Sequence, residues 1–256
     1  MVCMNVADFP TDYDQYAATY AWARFAVPWI LDPLAVLLDD LPAHAAVLEL
    51  GCGTGNYIRA LSAGRPSLRY AGFDRSLPML RESQRSSAMV HYVLGDAARD
   101  LPFRAGTFAC AFAVDVIQHI ADVPRFFAEA GRVLSADSRL VIVTDSEATM
   151  ARRSLTRFFP ELLSIELARY PALPVLHEAA ARAGLRLDRQ EQASGEIALS
   201  EEFIARLAAK CSSAMRLISP ADHAAGMARV RAGRERGETW VSCYELIHYR
   251  RANSRV

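Results

Sequence analysis

Between Ala45 and Asp145 the chain repeats one pattern: a short run that is apolar at nearly every position, then a stretch with helical spacing. "AAVLEL" (45–50), "LRYAGFD" (68–74), "MVHYVLGD" (89–96), "TFACAFAV" (107–114) and "RLVIVTD" (139–145) read as five strands. A strand buried on one face alternates apolar and polar residues. Runs without alternation belong to a parallel sheet covered on both faces. Between them, "YIRALSAG" (57–64), a stretch over roughly 76–87 opening at the N-cap Ser76, and "VPRFFAEAGRVL" (123–134) have helical periodicity. Pro124 falls in a first turn, where a missing N–H costs little. Strand–helix alternation of this kind predicts an α/β, Rossmann-like, doubly wound and mostly parallel sheet with right-handed crossovers.

Two regions depart from the rhythm. Residues 1–40 are aromatic-rich and read as a helical N-terminal cap centred on "YDQYAATYAWARF". Residues 146–237 are mostly helical, broken by Pro160, Pro171, Pro174, Gly184 and Gly195. Within them, "ALPVLHEAAARAGLRLDRQEQ" reads as a helix, a cap at Gly184 and a sixth strand. "ETWVSCYELIHYR" (238–250) supplies a seventh, which makes 196–237 a helical insertion near the C-terminus. The expected organisation is one domain over 1–256: cap (1–40), cofactor-binding core (41–145), substrate-side region (146–237), final strand and tail (238–256).

Composition excludes several classes. Lys plus Arg and Asp plus Glu number 29 each, so no bulk basic field exists for phosphate neutralisation, and no nucleic-acid partner is expected. The Arg-rich stretches at Arg152, Arg153 and Arg157 and at Arg229 to Arg236 read as solvated helix faces. Five cysteines, an odd number without C-x-x-C spacing, argue against a disulfide framework and a zinc site. No metal is expected. "MVCMNVADFPTDYDQY" lacks a basic n-region and an apolar h-region, and no run approaches the ~20 apolar residues of a membrane span. A cytoplasmic setting follows as the expectation.

The chemistry concentrates in "VLELGCGTGN" (47–56), with Gly51, Gly53 and Gly55 at alternate positions after Glu49. Ligands of open α/β sheets bind beyond the carboxyl ends of the strands, and glycine lets a ligand approach the backbone. A dinucleotide fingerprint, G-x-G-x-x-G, would place its third glycine where Asn56 stands, and a P-loop needs a lysine that is absent. Asp74 ends the second strand, placed for ribose hydroxyls. "GDA" (95–97) ends the third, with Asp96 placed for an exocyclic amine and the Ala97 N–H for a ring nitrogen. A nucleoside with a zwitterionic tail matches acids after strands one, two and three. Each acid alone is equally a turn former.

With these residues assembled, the chain resembles the class I S-adenosylmethionine-dependent methyltransferases of small-molecule type (methyltransferase type 11, ubiquinone/menaquinone C-methyltransferase-like). "VLELGCGTGN", "GFDRSLPML", "GDAARDLPFRAGTF", "FAVDVIQHIADVPRFFAEAGRVL" and "LVIVTD" carry the resemblance over about 45–145, and "YDQYAATY" resembles the family's N-terminal segment. The resemblance implies S-adenosyl-L-methionine as cofactor and S-adenosyl-L-homocysteine as product. It places Gly51, Gly53 and Gly55 under the methionine part, Glu49 beside the amino-acid end and Asp74 at the ribose hydroxyls, with Cys52, to which no chemistry is assigned, and Arg75 also among the cofactor-binding residues. Gly95, Asp96 and Ala97 fall at the adenine, with Leu77, Met79 and Leu101 as sandwich candidates. Asp115 falls near the methionine ammonium. The family's Phe-Asp at the start of strand four is Phe108-Ala109 here, and "LSADSRL" replaces the usual Pro-Gly-Gly turn before strand five.

Sulfonium is an activated leaving group, so in-line alignment and exclusion of water supply much of the acceleration. The expected reaction moves a methyl group to an O, N or C nucleophile of a small biosynthetic molecule. Polar groups expected over the methyl are Tyr13, Tyr16, Asp115, Gln118, His119 and Asp145, with His119, Tyr16 and Asp115 as catalytic candidates. His119 reads first as a positioned residue in the turn after strand four and only second as a base, whereas Tyr13 and Tyr16 read equally as a helix packing face. "RRSLTRFFPELLSIELARYP", aromatic and basic, suits a planar or anionic acceptor, or else is an amphipathic core helix. Rivals are a non-methylating reaction on the same cofactor (cyclisation or decarboxylation), a nicotinamide-dependent oxidoreductase and a non-catalytic interaction module. Oligomeric state is open, a homodimer included.

Overall fold

The computed structural model describes residues 13–86 and 88–252. A 3-10 turn at Tyr13–Tyr16 leads into two cap helices, α1 (Ala17–Ala23) and α2 (Pro28–Asp39). The core follows as β1 (Ala46–Leu50), α3 (Asn56–Gly64), β2 (Arg69–Asp74), α4 (Leu77–Ser86), β3 (Val90–Leu94), β4 (Phe108–Val114), α5 (Val123–Val133) and β5 (Leu134–Thr144). Four short helices come next: α6 (Glu147–Arg152), α7 (Ser154–Phe158), α8 (Leu162–Arg169) and α9 (Leu173–Arg182). Then β6 (Leu185–Ala198), α10 (Glu201–Ala208), α11 (Pro220–Glu235) and β7 (Thr239–Arg251) complete the chain's elements.

The seven strands form one sheet in the order β3-β2-β1-β4-β5-β7-β6. Pairs among β1 to β5 are parallel, and β7 runs antiparallel to both β5 and β6. The continuous apolar strands are buried on both faces because successive residues point opposite ways. Leu48, Ala111, Leu140 and Ile142 pack with Phe126 and Phe127 of α5 and Leu176 of α9. Their neighbours Val47, Phe112, Val141 and Val143 pack with Ile30 and Leu34 of α2 and Ile58 and Leu61 of α3. A third cluster joins Phe158, Phe159, Leu162, Phe203, Leu207, Met215, Val230 and Trp240, away from the sheet's centre.

Local signals account for the boundaries. Ser76 caps α4, accepting from the Met79 N–H at 3.3 Å, and Gly184 turns α9 into β6 at a φ of 73°. The prolines at 160, 171 and 174 divide the expected helical stretch into short pieces. β5 begins at Leu134, earlier than the apolar run indicates. Its first residues, including Asp137 at a φ of 57°, pair irregularly with β4.

Candidate functional site

Strand order reverses between β1 and β4, and the chain leaves β1 through Gly51, Gly53 and Gly55, all at positive φ (69°, 53° and 73°). The three glycines are not equivalent. A Cβ on Gly51 would lie 2.4 Å from Val116 Cγ2, and one on Gly55 would lie 2.8 Å from Tyr92 Oη. A Cβ on Gly53 would meet only Tyr20 Cε1, at 3.9 Å. The Gly51 and Cys52 N–H groups donate to the Phe73 carbonyl at 2.7 and 3.1 Å, and Gly53 N–H donates to Asp74 Oδ2 at 2.7 Å. Asp74 Oδ1 accepts from Ser76 N–H at 2.8 Å, so this one carboxylate ties the glycine turn to the end of β2.

Above the turn lies a cavity of about 650 Å³. Gly51, Gly53, Asp74, Arg75 and Met79 border it on one side, and Gly95, Asp96, Ala97, Asp115 and His119 on the other. Burial raises the Asp74 carboxyl above its ordinary range, partly offset by the two N–H donors. Asp96 Oδ1 accepts from Ala98 N–H at 2.9 Å, which fixes the turn after β3.

A second cavity, of about 1000 Å³, adjoins the first and shares Tyr13, Tyr20 and Asp115 with it. Asp115 sits at this junction with a φ of 55°, an uncommon conformation for a residue other than glycine. Its Oδ2 accepts from Arg24 Nη2 at 2.6 Å, and its carbonyl accepts from Gln118 Nε2 at 2.9 Å. Tyr13 Oη lies 2.8 Å from His119 Nε2. Burial, reinforced by Arg169 and Arg75, lowers His119 to about 3, and burial raises the Tyr13 phenol. The pair is therefore neutral near pH 7, and His119 is a poor proton acceptor with one ring nitrogen already engaged.

Other residues singled out by sequence lie elsewhere. Tyr16 borders neither cavity, and the Arg216 guanidinium stacks 3.4 Å from its ring centroid. Asp145 is buried, paired with Arg153 and bonded to Thr149 Oγ1 at 3.1 Å, and it borders neither cavity. Burial pushes its carboxyl up to about 7 against the pull of Arg153. Glu49 accepts from Ile58 N–H at 3.0 Å and so caps α3, whose N-cap Gly55 has no side chain to do so. Burial raises both Glu49 and the Cys52 thiol well above their ordinary values. Gly55, Leu77 and Leu101 also border neither cavity; Leu77 is exposed and Leu101 packs in the core. Sequence reasoning missed Arg24, Tyr57, Tyr170 and Tyr244 on the second cavity, and Val116 and Ile120 on the first. Only Val116 and Ile120, beside Asp115 and His119 in the chain, carried a local signal.

Residues 48–142 match the family described as methyltransferase domain. Over those residues the chain is similar to methyltransferase domains. A 37.1 kDa protein of transposon Tn4556 from Streptomyces fradiae is 38% identical over 141 residues, 54% of this chain and 39% of that protein. A malonyl-(acyl-carrier protein) O-methyltransferase from Methylovorus sp. (strain MP688) is 27% identical over 183 residues, 67% of this chain and 61% of that one. The chain thus spans less than two thirds of either relative. Among solved structures, a protein from Anabaena variabilis ATCC 29413 named as a methyltransferase of an antibiotic biosynthesis pathway superposes with a TM-score of 0.70. It is 18% identical and covers 89% of this chain and 98% of that one, a likeness of fold. The matched residues span most of β1 to β5 and include the glycine turn and, apart from Tyr13 and Tyr20, the described border of the first cavity. The second cavity is walled largely by residues outside 48–142.

Proposed function

We propose that the domain binds S-adenosylmethionine in the cavity over the glycine turn and transfers its methyl group to a small molecule in the adjoining cavity. The charge of the first cavity carries this reading. Asp74, Asp96 and Asp115 face it with Arg75 as the lone cation along its border. A dinucleotide would bring an anionic pyrophosphate against three carboxylates, whereas a nucleoside with a sulfonium brings a positive charge. The space left open above Gly53 suits a ligand that approaches the main chain closely.

In this reading Asp74 keeps lone pairs for the ribose hydroxyls while it anchors Gly53. Asp96 and Ala97 face the adenine, and Met79 flanks it. The cofactor supplies a methyl group already activated on sulfur. The chain supplies orientation and exclusion of water, worth several orders of magnitude in rate when reacting atoms are aligned. Tyr13, Tyr20 and Asp115, common to both cavities, fix where cofactor and acceptor meet. A base strong enough to deprotonate an unactivated acceptor is not offered by His119, held at about 3. Positioning then carries the acceleration, and His119 serves to hold Tyr13.

Among the described residues no single helix is long and apolar enough to cross a membrane, and Cys52, Cys110, Cys211 and Cys243 are free thiols. A reducing, cytoplasmic setting belongs to the same reading.

Calorimetric titration with S-adenosylhomocysteine, S-adenosylmethionine and NAD tests it. Micromolar binding of the first two, lost in Asp74→Ala, with no binding of NAD is the expected result. NAD binding by a protein that ignores S-adenosylhomocysteine would overturn it. Product masses separate methyl transfer from cyclisation or decarboxylation.

A further inference from the structure

The second cavity has a charge inventory that closes on itself. Two guanidiniums border it, and both are already matched. Arg24 Nη2 lies 2.6 Å from Asp115 Oδ2. Arg153 bridges Asp145 and Glu166, and Glu166 Oε1 also pairs with Arg169 Nη1 at 2.9 Å. Each of these cations thus has an acidic partner: Arg24 has Asp115, Arg153 has Asp145 and Glu166, and Arg169 has Glu166. Arg152 and Arg157, the other arginines of the basic tract that favoured an anionic acceptor, are engaged with Gln192 and Glu238.

The remaining polar groups on this cavity are neutral. Burial raises the phenols of Tyr20, Tyr170 and Tyr244, so each keeps its proton and offers an O–H donor. Gln118, 4% exposed, borders the cavity, and its Oε1 has no hydrogen-bond partner among the described residues. The far wall is apolar: Leu155, Phe203, Leu207, Met215 and Trp240. Among the described residues, a carboxylate or phosphate entering here would lose its water and find no unpaired cation, and an ammonium would find no unpaired carboxylate. Oxygens on an uncharged frame, in contrast, would meet phenolic donors, and a hydroxyl would meet Gln118 Oε1.

We infer that this cavity takes an uncharged acceptor, an apolar frame bearing hydroxyl or carbonyl oxygens, and rejects the anionic counterpart of the same frame. The inference rests on the reading of this cavity as the acceptor site.

Three probes share one frame and differ in charge: 2-naphthol, 2-naphthoate and 2-naphthylmethylammonium. Each is titrated calorimetrically into the full chain near neutral pH, with and without saturating S-adenosylhomocysteine. The expected result is 2-naphthol binding at least about tenfold more tightly than either ion. Asp115→Asn leaves Arg24 unmatched and should move the preference about tenfold toward 2-naphthoate. Arg24→Gln leaves Asp115 unmatched and should move it comparably toward the ammonium. Circular dichroism checks that each variant is folded, and the wild-type comparison decides the matter if neither is. Equal or tighter binding of 2-naphthoate by the wild type overturns the inference, and so does failure of 2-naphthol to bind. Absence of S-adenosylhomocysteine binding would instead count against the proposed function, while the ranking of probes still decides the acceptor class.

Discussion

A methyl group added at Gly53 and one added at Gly51 should have opposite consequences. Both residues are left-handed, so either substitution carries about 1–2 kcal/mol of backbone strain. At Gly51 the new Cβ also drives into Val116. Gly51→Ala should therefore lose on the order of 3 kcal/mol or more of stability in urea unfolding. Gly53→Ala should lose only the backbone part but weaken S-adenosylhomocysteine by at least about tenfold, because its methyl occupies ligand space. His119 gives a second prediction. Its pKa falls from 6.5 to about 3 on folding. Between those values the unfolded chain holds a proton that the folded chain does not, so stability drops as pH falls through that window. The loss approaches about 1.4 kcal/mol per pH unit well inside the window. His119→Gln should flatten the profile of unfolding free energy between about pH 4 and 6. An unchanged slope would mean that other groups dominate it.

Among the elements, the start of α3 holds the most unusual arrangement: a carboxylate buried in the sheet caps a helix whose own N-cap is glycine. Burial raises the Glu49 pKa above its unfolded value. Its contribution is thus fully present below the unfolded pKa and is lost as pH rises through the folded one. Glu49→Gln keeps an oxygen for the Ile58 N–H without a charge to desolvate. It should be more stable than wild type above neutrality, by about 1 kcal/mol or more, and closer to it at about pH 4. Lower stability of the variant at high pH would mean that Glu49 is matched by a cation not seen here. At this scale the sequence was readable wherever a ligand-facing residue is set by its own strand end. Gly51, Gly53, Asp74, Asp96 and Asp115 all follow directly from β1 to β4 and reach the first cavity. The wall of the second cavity was not readable, because its geometry depends on residues distant in sequence, such as Arg24 with Asp115 and Arg153 with Glu166. β6 was visible only in part, since most of its side chains are polar and exposed and it lies at the sheet's edge. Asp145 misled for a related reason: its position after β5 marks a strand end, but only the fold reveals that Arg153 covers it.

Across the whole molecule, the linked set Asp145, Arg153, Glu166 and Arg169 binds the end of β5 to α8 and so holds the second cavity's wall against the sheet. Removing its central cation leaves Asp145 without its cationic partner and Glu166 with Arg169 alone. Arg153→Met should cost about 3–5 kcal/mol in chemical denaturation and weaken acceptor-probe binding more than S-adenosylhomocysteine binding. Equal loss of both would mean that the network serves global stability without favouring the wall.

The placement of β7 carries a consequence for how the molecule comes into being. β7 is the last strand in chain order, yet it lies inside the sheet, between β5 and β6. A ribosome therefore releases β6 before the only strand that can join it to the rest has been made. Until residues 239–251 emerge, the five parallel strands can assemble, but β5 presents a bare edge and β6 has nothing to pair with. The second cavity, which draws on Trp240 to Tyr244, is thus finished only once those residues emerge, whereas the described residues that line the first have all been made by Ile120.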